Sequence, residues 1–266
     1  MYMIANRYAL IEKINEGVFG TVFKAENRRT KELVAIKLET NTDNRKSLKN
    51  EAKIYQYLGK SDGFPHLKSF GTVNNVSYLV INLLGQSLSS IITHHKSLSL
   101  NTSLLLGIQM LKRIQYLHSM FLLHRDIKPS NFVFGSDYSA NKLYLIDLGF
   151  SKRYEYDGTH IEEKCIKQVV GSPNFVSLNV HKLIEPSRRD DVESCIYVIL
   201  TMLFGNLSWF NKCDMDDIVL LKTNLLETYE LPLCLKHMLG HIRSLEFKDT
   251  PDYVYLIQLM EDNVAY

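Results

Sequence analysis

Cysteine is scarce and poorly spaced for metal chemistry. Cys165, Cys195, Cys213 and Cys234 form no C-x-x-C pair, which argues against a zinc site or a disulfide framework and for reduced thiols. Long apolar runs are missing as well. The longest, residues 195–204, stops at Gly205-Asn206, short of the ~20 residues a spanning helix needs, and reads as the buried central helix of a globular unit. Residues 1–7 lack the apolar core of a secretion signal. Neither sign of charge dominates: the net formal charge is +2, which favours neither nucleic acid nor a membrane surface. Repeats, linkers and low-complexity tracts are lacking too. A monomer in the cytoplasm or nucleus is expected, and 266 residues at 45% hydrophobic can bury a large core.

What is present is a set of polar groups in a telling order. His124-Arg125-Asp126-Ile127-Lys128-Pro129-Ser130-Asn131 is followed, sixteen residues after Asn131, by Asp147-Leu148-Gly149. Phosphoryl transfer from Mg-ATP needs a carboxylate for the acceptor hydroxyl, which Asp126 supplies, and an ammonium at the transferring phosphate, which Lys128 supplies. It also needs hard oxygen donors for Mg²⁺, here Asn131 and Asp147. Upstream, Ile14-Asn15-Glu16-Gly17-Val18-Phe19-Gly20-Thr21-Val22 has the form of a phosphate-covering loop, and Val34-Ala35-Ile36-Lys37 that of a strand carrying a phosphate lysine. Such a lysine needs a carboxylate on a neighbouring helix. Glu51 is the choice, in a segment where Ile54, Tyr57 and Leu58 suggest an apolar stripe. Glu39 competes, but it follows Lys37 on the same strand. Taken singly, the two-glycine loop, Lys37 and Asp147-Leu148-Gly149 are each unremarkable turns or strand residues; in this order they form one chemistry.

The coarse pattern agrees. Residues 8–38 alternate apolar positions around a basic turn at Arg28-Arg29-Thr30-Lys31, as antiparallel strands do. A helix is predicted over residues 46–58 and a strand over residues 76–81, leading into Asn82-Leu83-Leu84-Gly85 as a hinge. Leu104, Ile108, Leu111 and Ile114 mark a long amphipathic helix, and the remainder reads as mostly helical.

The motif order resembles that of protein kinases. Finer features resemble the casein kinase 1 family: residues 31–39, Gly63-Phe64-Pro65-His66, Asn82-Leu83-Leu84-Gly85-Gln86-Ser87-Leu88, Ser187-Arg188-Arg189-Asp190-Asp191-Val192-Glu193-Ser194, and Ser177-Leu178-Asn179 where most kinases have Ala-Pro-Glu. The resemblance implies an α+β, two-lobed kinase fold over residues 8–266. A small antiparallel lobe with one main helix would run to about residue 82, and a larger helical lobe would follow. Residues 247–256 resemble the last helical segment of that family. ATP and Mg²⁺ are expected between the lobes, with Ile14, Val22 and Ala35 above the adenine, Val133 below it, Ile81 behind it, and backbone near Asn82 and Leu84 reading its edge. Lys128 implies transfer to Ser or Thr of protein substrates.

Three departures stand out. Asn15 replaces the first loop glycine, Leu148 replaces a Phe, and Asn82 replaces a common hinge Glu. Asn15 and Leu148 lend slight support to a pseudokinase or scaffold, against which the retention of Lys37, Asp126, Asn131 and Asp147 argues. A small-molecule phosphotransferase shares the paired-carboxylate logic but gives no reason for Ser187-Arg188-Arg189-Asp190-Asp191. Residues 152–163 show no obvious switch phosphosite beyond Thr159, with Ser172 further on, and no tail follows Tyr266, so activity without phosphorylation or autoinhibition is expected. Acidic or phosphate-primed acceptors are expected too, with Arg188 and Arg189 as the candidate anion site. Residues 211–230 carry a balance of −3 where that family has a lysine-rich run, which predicts a weakened preference for primed substrates.

Overall fold

The computed structural model describes residues 2–17, 20–40 and 47–265. Its contacts divide the chain into two compact units, Met1–Gln86 with Val133–Gly149, and Ser87–Phe132 with Phe150–Tyr266. The expected α+β division into a sheet unit and a helical unit is what the chain adopts.

In the first unit, β1 (Met3–Ile4), β2 (Tyr8–Gly17), β3 (Gly20–Asn27), β4 (Leu33–Thr40), β5 (Leu67–Val73) and β6 (Val76–Asn82) form one antiparallel sheet ordered β1-β2-β3-β4-β6-β5. Tyr8, Ala25, Val34, Ile36 and Val80 pack together as its core. The β5–β6 turn is Asn74-Asn75, both at positive φ (47° and 62°), the conformation a two-residue hairpin requires and asparagine tolerates. Helix α1 (Ser47–Leu58) buries Leu48, Glu51, Ala52, Tyr55 and Leu58. Tyr57, expected in that stripe, is instead exposed, because it lies more than half a turn beyond Tyr55. The later segment Val133–Gly149 is tied in by backbone bonds: Gly85 N donates to Phe134 O (2.8 Å), Phe134 N to Gln86 O (2.9 Å) and Leu145 N to Gly63 O (2.9 Å).

The second unit is built on α2 (Leu88–His95), α3 (Leu100–Ser119), α4 (Leu178–His181), α5 (Arg188–Phe204), α6 (Met215–Thr223), α7 (Leu225–Thr228), α8 (Leu233–Ser244) and α9 (Tyr253–Glu261). Leu104, Ile108, Leu111 and Ile114 form the buried face of α3, as their spacing predicts. Helix α5 is buried from Arg189 to Met202, so its lack of amphipathicity marks a central helix. Helices α3, α5 and α9 meet at Gly107, where a Cβ would fall 2.9 Å from Ile199 Cδ1 and 3.0 Å from Met260 Sδ. The last helix starts only at Tyr253, later than the resemblance implied. Pro251 precedes it, and Asp252 caps it by accepting from Tyr255 N at 3.0 Å. No helix among the described residues is long and apolar enough to cross a membrane.

Candidate active site

Strand β4 carries Lys37 and α1 carries Glu51, while the return of Val133–Gly149 to the sheet delivers Asp147. The Lys37 ammonium donates to Glu51 Oε2 and to Asp147 Oδ1, both at 2.8 Å. Burial alone would lower the Lys37 ammonium, but the two carboxylates outweigh it and hold it above its usual value. For Glu51, burial is the largest influence and raises the carboxyl, with Lys37 opposing it. Glu39 is not the partner of Lys37: its carboxylate accepts from Leu48 N at the start of α1 (3.2 Å). Asp147 sits at φ 62°, a left-handed conformation that Asp tolerates and that recurs at functional sites. Leu148, in place of a Phe, is fully buried.

The second group lies on the loop after α3. Asp126 is nearly buried. Its Oδ2 lies 2.7 Å from Lys128 Nζ, and its Oδ1 accepts from the Ser172 hydroxyl at 2.8 Å. Lys128 also donates to the Ser172 oxygen (3.2 Å). Asn131 Nδ2 donates to Asp126 O at 2.8 Å, which leaves Oδ1 as its remaining acceptor. The loop is held from α5, as the position of Asp191 at a helix start suggests: Asp191 accepts from His124 N (2.7 Å) and Arg125 N (2.8 Å). His118 Nε2 sits 2.9 Å from the same carboxylate and its Nδ1 2.5 Å from Tyr253 Oη. Burial favours the neutral acid at Asp191, yet the hydrogen bond and charge of His118 outweigh it and keep the carboxyl low. Asp147 in the first unit and Asn131 in the second each carry a hard oxygen of the kind Mg²⁺ prefers.

Arg125, at φ 67°, donates from Nε to Phe150 O (2.8 Å) and faces Glu185 at 3.6 Å. Lys152 donates to the same Glu185 carboxylate at 2.8 Å. Arg125 and Lys152 thus share one buried carboxylate.

Several expected residues find different surroundings. Asn15 pairs with Val22 in β2, just after an irregularity in the β2–β3 register between Lys13 and Asn15, and has no positive φ. Its side chain accepts from Glu16 N (2.9 Å). Thr21 pairs with Glu16, and Gly17 with Gly20. Gly20 is required, since at φ +115° a Cβ there would meet Leu38 O at 2.0 Å. Val18 and Phe19 lie outside the described residues. Ala35 pairs with Ile81 and is buried, as is Val133, whereas Ile14 is exposed. Asn82 Oδ1 accepts from His66 N (2.7 Å), and Leu84 belongs to the segment between β6 and α2.

Arg188 and Arg189, the candidate anion site, have partners within the chain. Arg188 donates to Lys248 O and stacks on Tyr154, 4.8 Å from the ring centre. Arg189 donates to Leu245 O (2.6 Å) and is almost buried. Arg189 also faces Glu163 at 3.8 Å. Lys222, counted among the charges of residues 211–230, is also not at the surface: it is fully buried.

Two features escaped the sequence reading. Ser172, considered there only as a phosphosite, joins Asp126 and Lys128. A cavity of about 440 Å³ lies beside Lys128 and Ser172, walled by Pro173, Phe175, Phe210, Met215 and Ile218. The glycine at position 171, with φ +104° and Arg125 O only 2.5 Å from a would-be Cβ, is the local signal of a close approach between the two loops. A family model described as the protein kinase domain matches residues 8–249 of the chain.

Proposed function

This chain belongs to the protein kinase family, and we propose that it is a casein kinase 1-like enzyme that transfers the γ-phosphoryl group of ATP to serine and threonine hydroxyls of proteins. The observation that carries the proposal is Asp126, held in place by Lys128 and Ser172. Its carboxylate accepts the proton of the substrate hydroxyl as that oxygen bonds to the γ-phosphorus and the bond to the β-phosphate oxygen breaks, releasing ADP. Lys128 places positive charge beside the moving phosphoryl. Lys37, its orientation fixed by Glu51 and Asp147, binds the remaining phosphates. Mg²⁺, for which Asp147 and Asn131 are the ligands of suitable chemistry, supplies neutralisation of phosphate charge.

Lys128, two positions after Asp126, supports Ser/Thr acceptors. The casein kinase 1 reading rests on the motif resemblance, and the Ser177 of its distinguishing tripeptide donates to Asp190 Oδ1 at 2.5 Å, anchoring that segment to α5. Activity without activating phosphorylation is supported by Glu185, which already occupies Arg125 and Lys152. The weakened preference for primed substrates gains support from the burial of Lys222, which leaves residues 211–230 with still less positive surface, and from the internal engagement of Arg188 and Arg189. The cavity beside Ser172 suits an apolar residue next to the acceptor.

The test is transfer of radiolabel from ATP with Mg²⁺ to an acidic protein and to matched primed and unprimed peptides, with Asp126→Asn as the blank and phosphoamino-acid analysis of the product. Phosphoserine or phosphothreonine well above the blank is expected. Transfer no greater than the blank would turn the reading to a nucleotide-binding scaffold.

A further inference from the structure

Lys222 on α6 is fully buried, lies outside the groups that meet substrate, and has no role in the reaction described above. Its amine has three partners: it donates to Pro173 O at 2.9 Å and Val176 O at 2.7 Å, and meets His181 Nε2 at 3.0 Å. Its charge faces the rings of Tyr197 at 4.7 Å and Trp209 at 5.8 Å. Trp209 contributes a second fastening to the same turn, donating from Nε1 to Asn174 O at 2.9 Å. Three carbonyls of residues 173–176 are thus held by two buried side chains.

That turn starts at Ser172. Phe175 N and Val176 N both donate back to Ser172 O, at 2.8 and 3.1 Å, so holding Pro173 and Val176 holds Ser172. On its other side Ser172 carries the hydroxyl that bonds Asp126 (2.8 Å) and receives Lys128 (3.2 Å). Burying an ammonium is costly. An apolar residue would fill the space more cheaply but could not grip two carbonyls, which needs only two of the amine's N–H donors.

We propose, building on the kinase reading, that Lys222 is a positioning residue for phosphoryl transfer: by clamping the carbonyls of Pro173 and Val176 it fixes the turn that presents the Ser172 hydroxyl to Asp126 and Lys128. Lys222 touches neither ATP nor acceptor, so its influence reaches the reaction through Ser172. Burial lowers this amine to about 7, as expected where its hydrogen-bond partners are carbonyl dipoles and not carboxylates.

The experiment is a double-mutant cycle on the intact chain, with Lys222→Met, Ser172→Ala and the double variant, reading kcat, the KM for ATP, the KM for a peptide, and thermal melting. Lys222→Met should lower kcat by ten- to a hundredfold, the scale of an ångström-sized misplacement of a catalytic group, and leave the KM for ATP unchanged. In the Ser172→Ala background the same change should lower kcat less than twofold, because the contact through which it acts is gone. Equal losses in both backgrounds would overturn the proposal, since a general loss of folded enzyme multiplies through any background. Should Lys222→Met not fold, Lys222→Gln, which keeps two donors without the charge, takes its place in the cycle with the same two outcomes. A wild type that transfers no phosphate removes the kinase reading and the positioning role together; an active wild type with an additive cycle removes only the latter.

Discussion

Lys37 and Lys222 are both withdrawn from water, and their surroundings move them in opposite directions. Lys37 lies between the carboxylates of Glu51 and Asp147, each at 2.8 Å, and is held above its usual value. Lys222 meets two backbone carbonyls, a neutral imidazole and two ring faces, and burial takes it down from 10.5 to about 7. The difference lies in the kind of acceptor. Full opposite charges repay desolvation, whereas dipoles repay only part of it. A lysine that must present permanent positive charge to phosphate is built the first way. One that only has to hold a loop can be built the second way.

The largest effect should come from separating the chemistry of the two units. Asp126→Asn removes the group that receives the acceptor proton but leaves Lys37, Glu51 and Asp147 untouched. Turnover should fall by ~10²–10⁴-fold, while nucleotide affinity, followed by titration with a fluorescent ATP analogue, stays near wild type. A parallel loss of affinity would mean that the Lys37 centre does not bind nucleotide independently of Asp126.

Next in size is Lys37→Met. Glu51 is buried and pushed up by its burial, so removing the lysine leaves two carboxylates facing one another without a counter-charge. Breaking such a pair costs about 3–5 kcal/mol when fully buried, and the partial exposure of Asp147 places this one toward the lower end. Urea unfolding checks it, and Lys37→Met with Glu51→Gln should recover part of the loss. No recovery would show that the lysine acts through packing alone.

How much of this could be read in advance depends on sequence distance. Lys37, Asp126, Asn131 and Asp147 were legible because each sits in a short motif whose neighbours specify its chemistry. Glu51 was legible because its helix had a recognisable period, although Tyr57 was misread as part of the buried stripe. Lys222 was not legible. It stands in an acidic stretch that looks like solvated surface, and its acceptors at Pro173, Val176 and His181 are more than forty residues away in the chain. Ser172 is similar: a lone serine after a glycine carries no sign that it will meet Asp126. Arg188 and Arg189 were ambiguous for the opposite reason, since paired arginines at a helix start suit an anion as well as they suit carbonyls. The return of Val133–Gly149 to the sheet unit rests on a few backbone bonds that no residue type announces.

A third measurement sharpens the contrast through pH. The folded value of Lys222, about 7, lies below its usual 10.5, so between those values the unfolded chain carries a proton that the folded chain has shed. Stability should therefore rise with pH through that window and gain nothing further from this group below about 7. The slope from a single group is at most about 1.4 kcal/mol per pH unit. The charged groups around it are Glu193 and Arg243, and His181, lowered by burial and by Lys222 to about 4, titrates outside the window. Lys222→Met should flatten the rise relative to wild type in urea midpoints taken at several pH values. An unchanged slope would mean that the amine stays protonated in the folded chain.

The smallest effect isolates burial from distance. Lys68 meets Glu32 at 2.7 Å, slightly closer than Lys37 meets its carboxylates, and on the same sheet unit. Here the side chains remain 28% and 46% exposed, so water screens the attraction and both side chains lose rotamer freedom to keep it. Such pairs contribute ~0–1 kcal/mol and weaken with salt. Lys68→Ala should thus shift the urea midpoint barely at low ionic strength and not at all in 1 M salt, while the loss in Lys37→Met persists in both. A Lys68→Ala loss that approached that of Lys37→Met would show that contact geometry, and not withdrawal from water, sets what these lysines contribute.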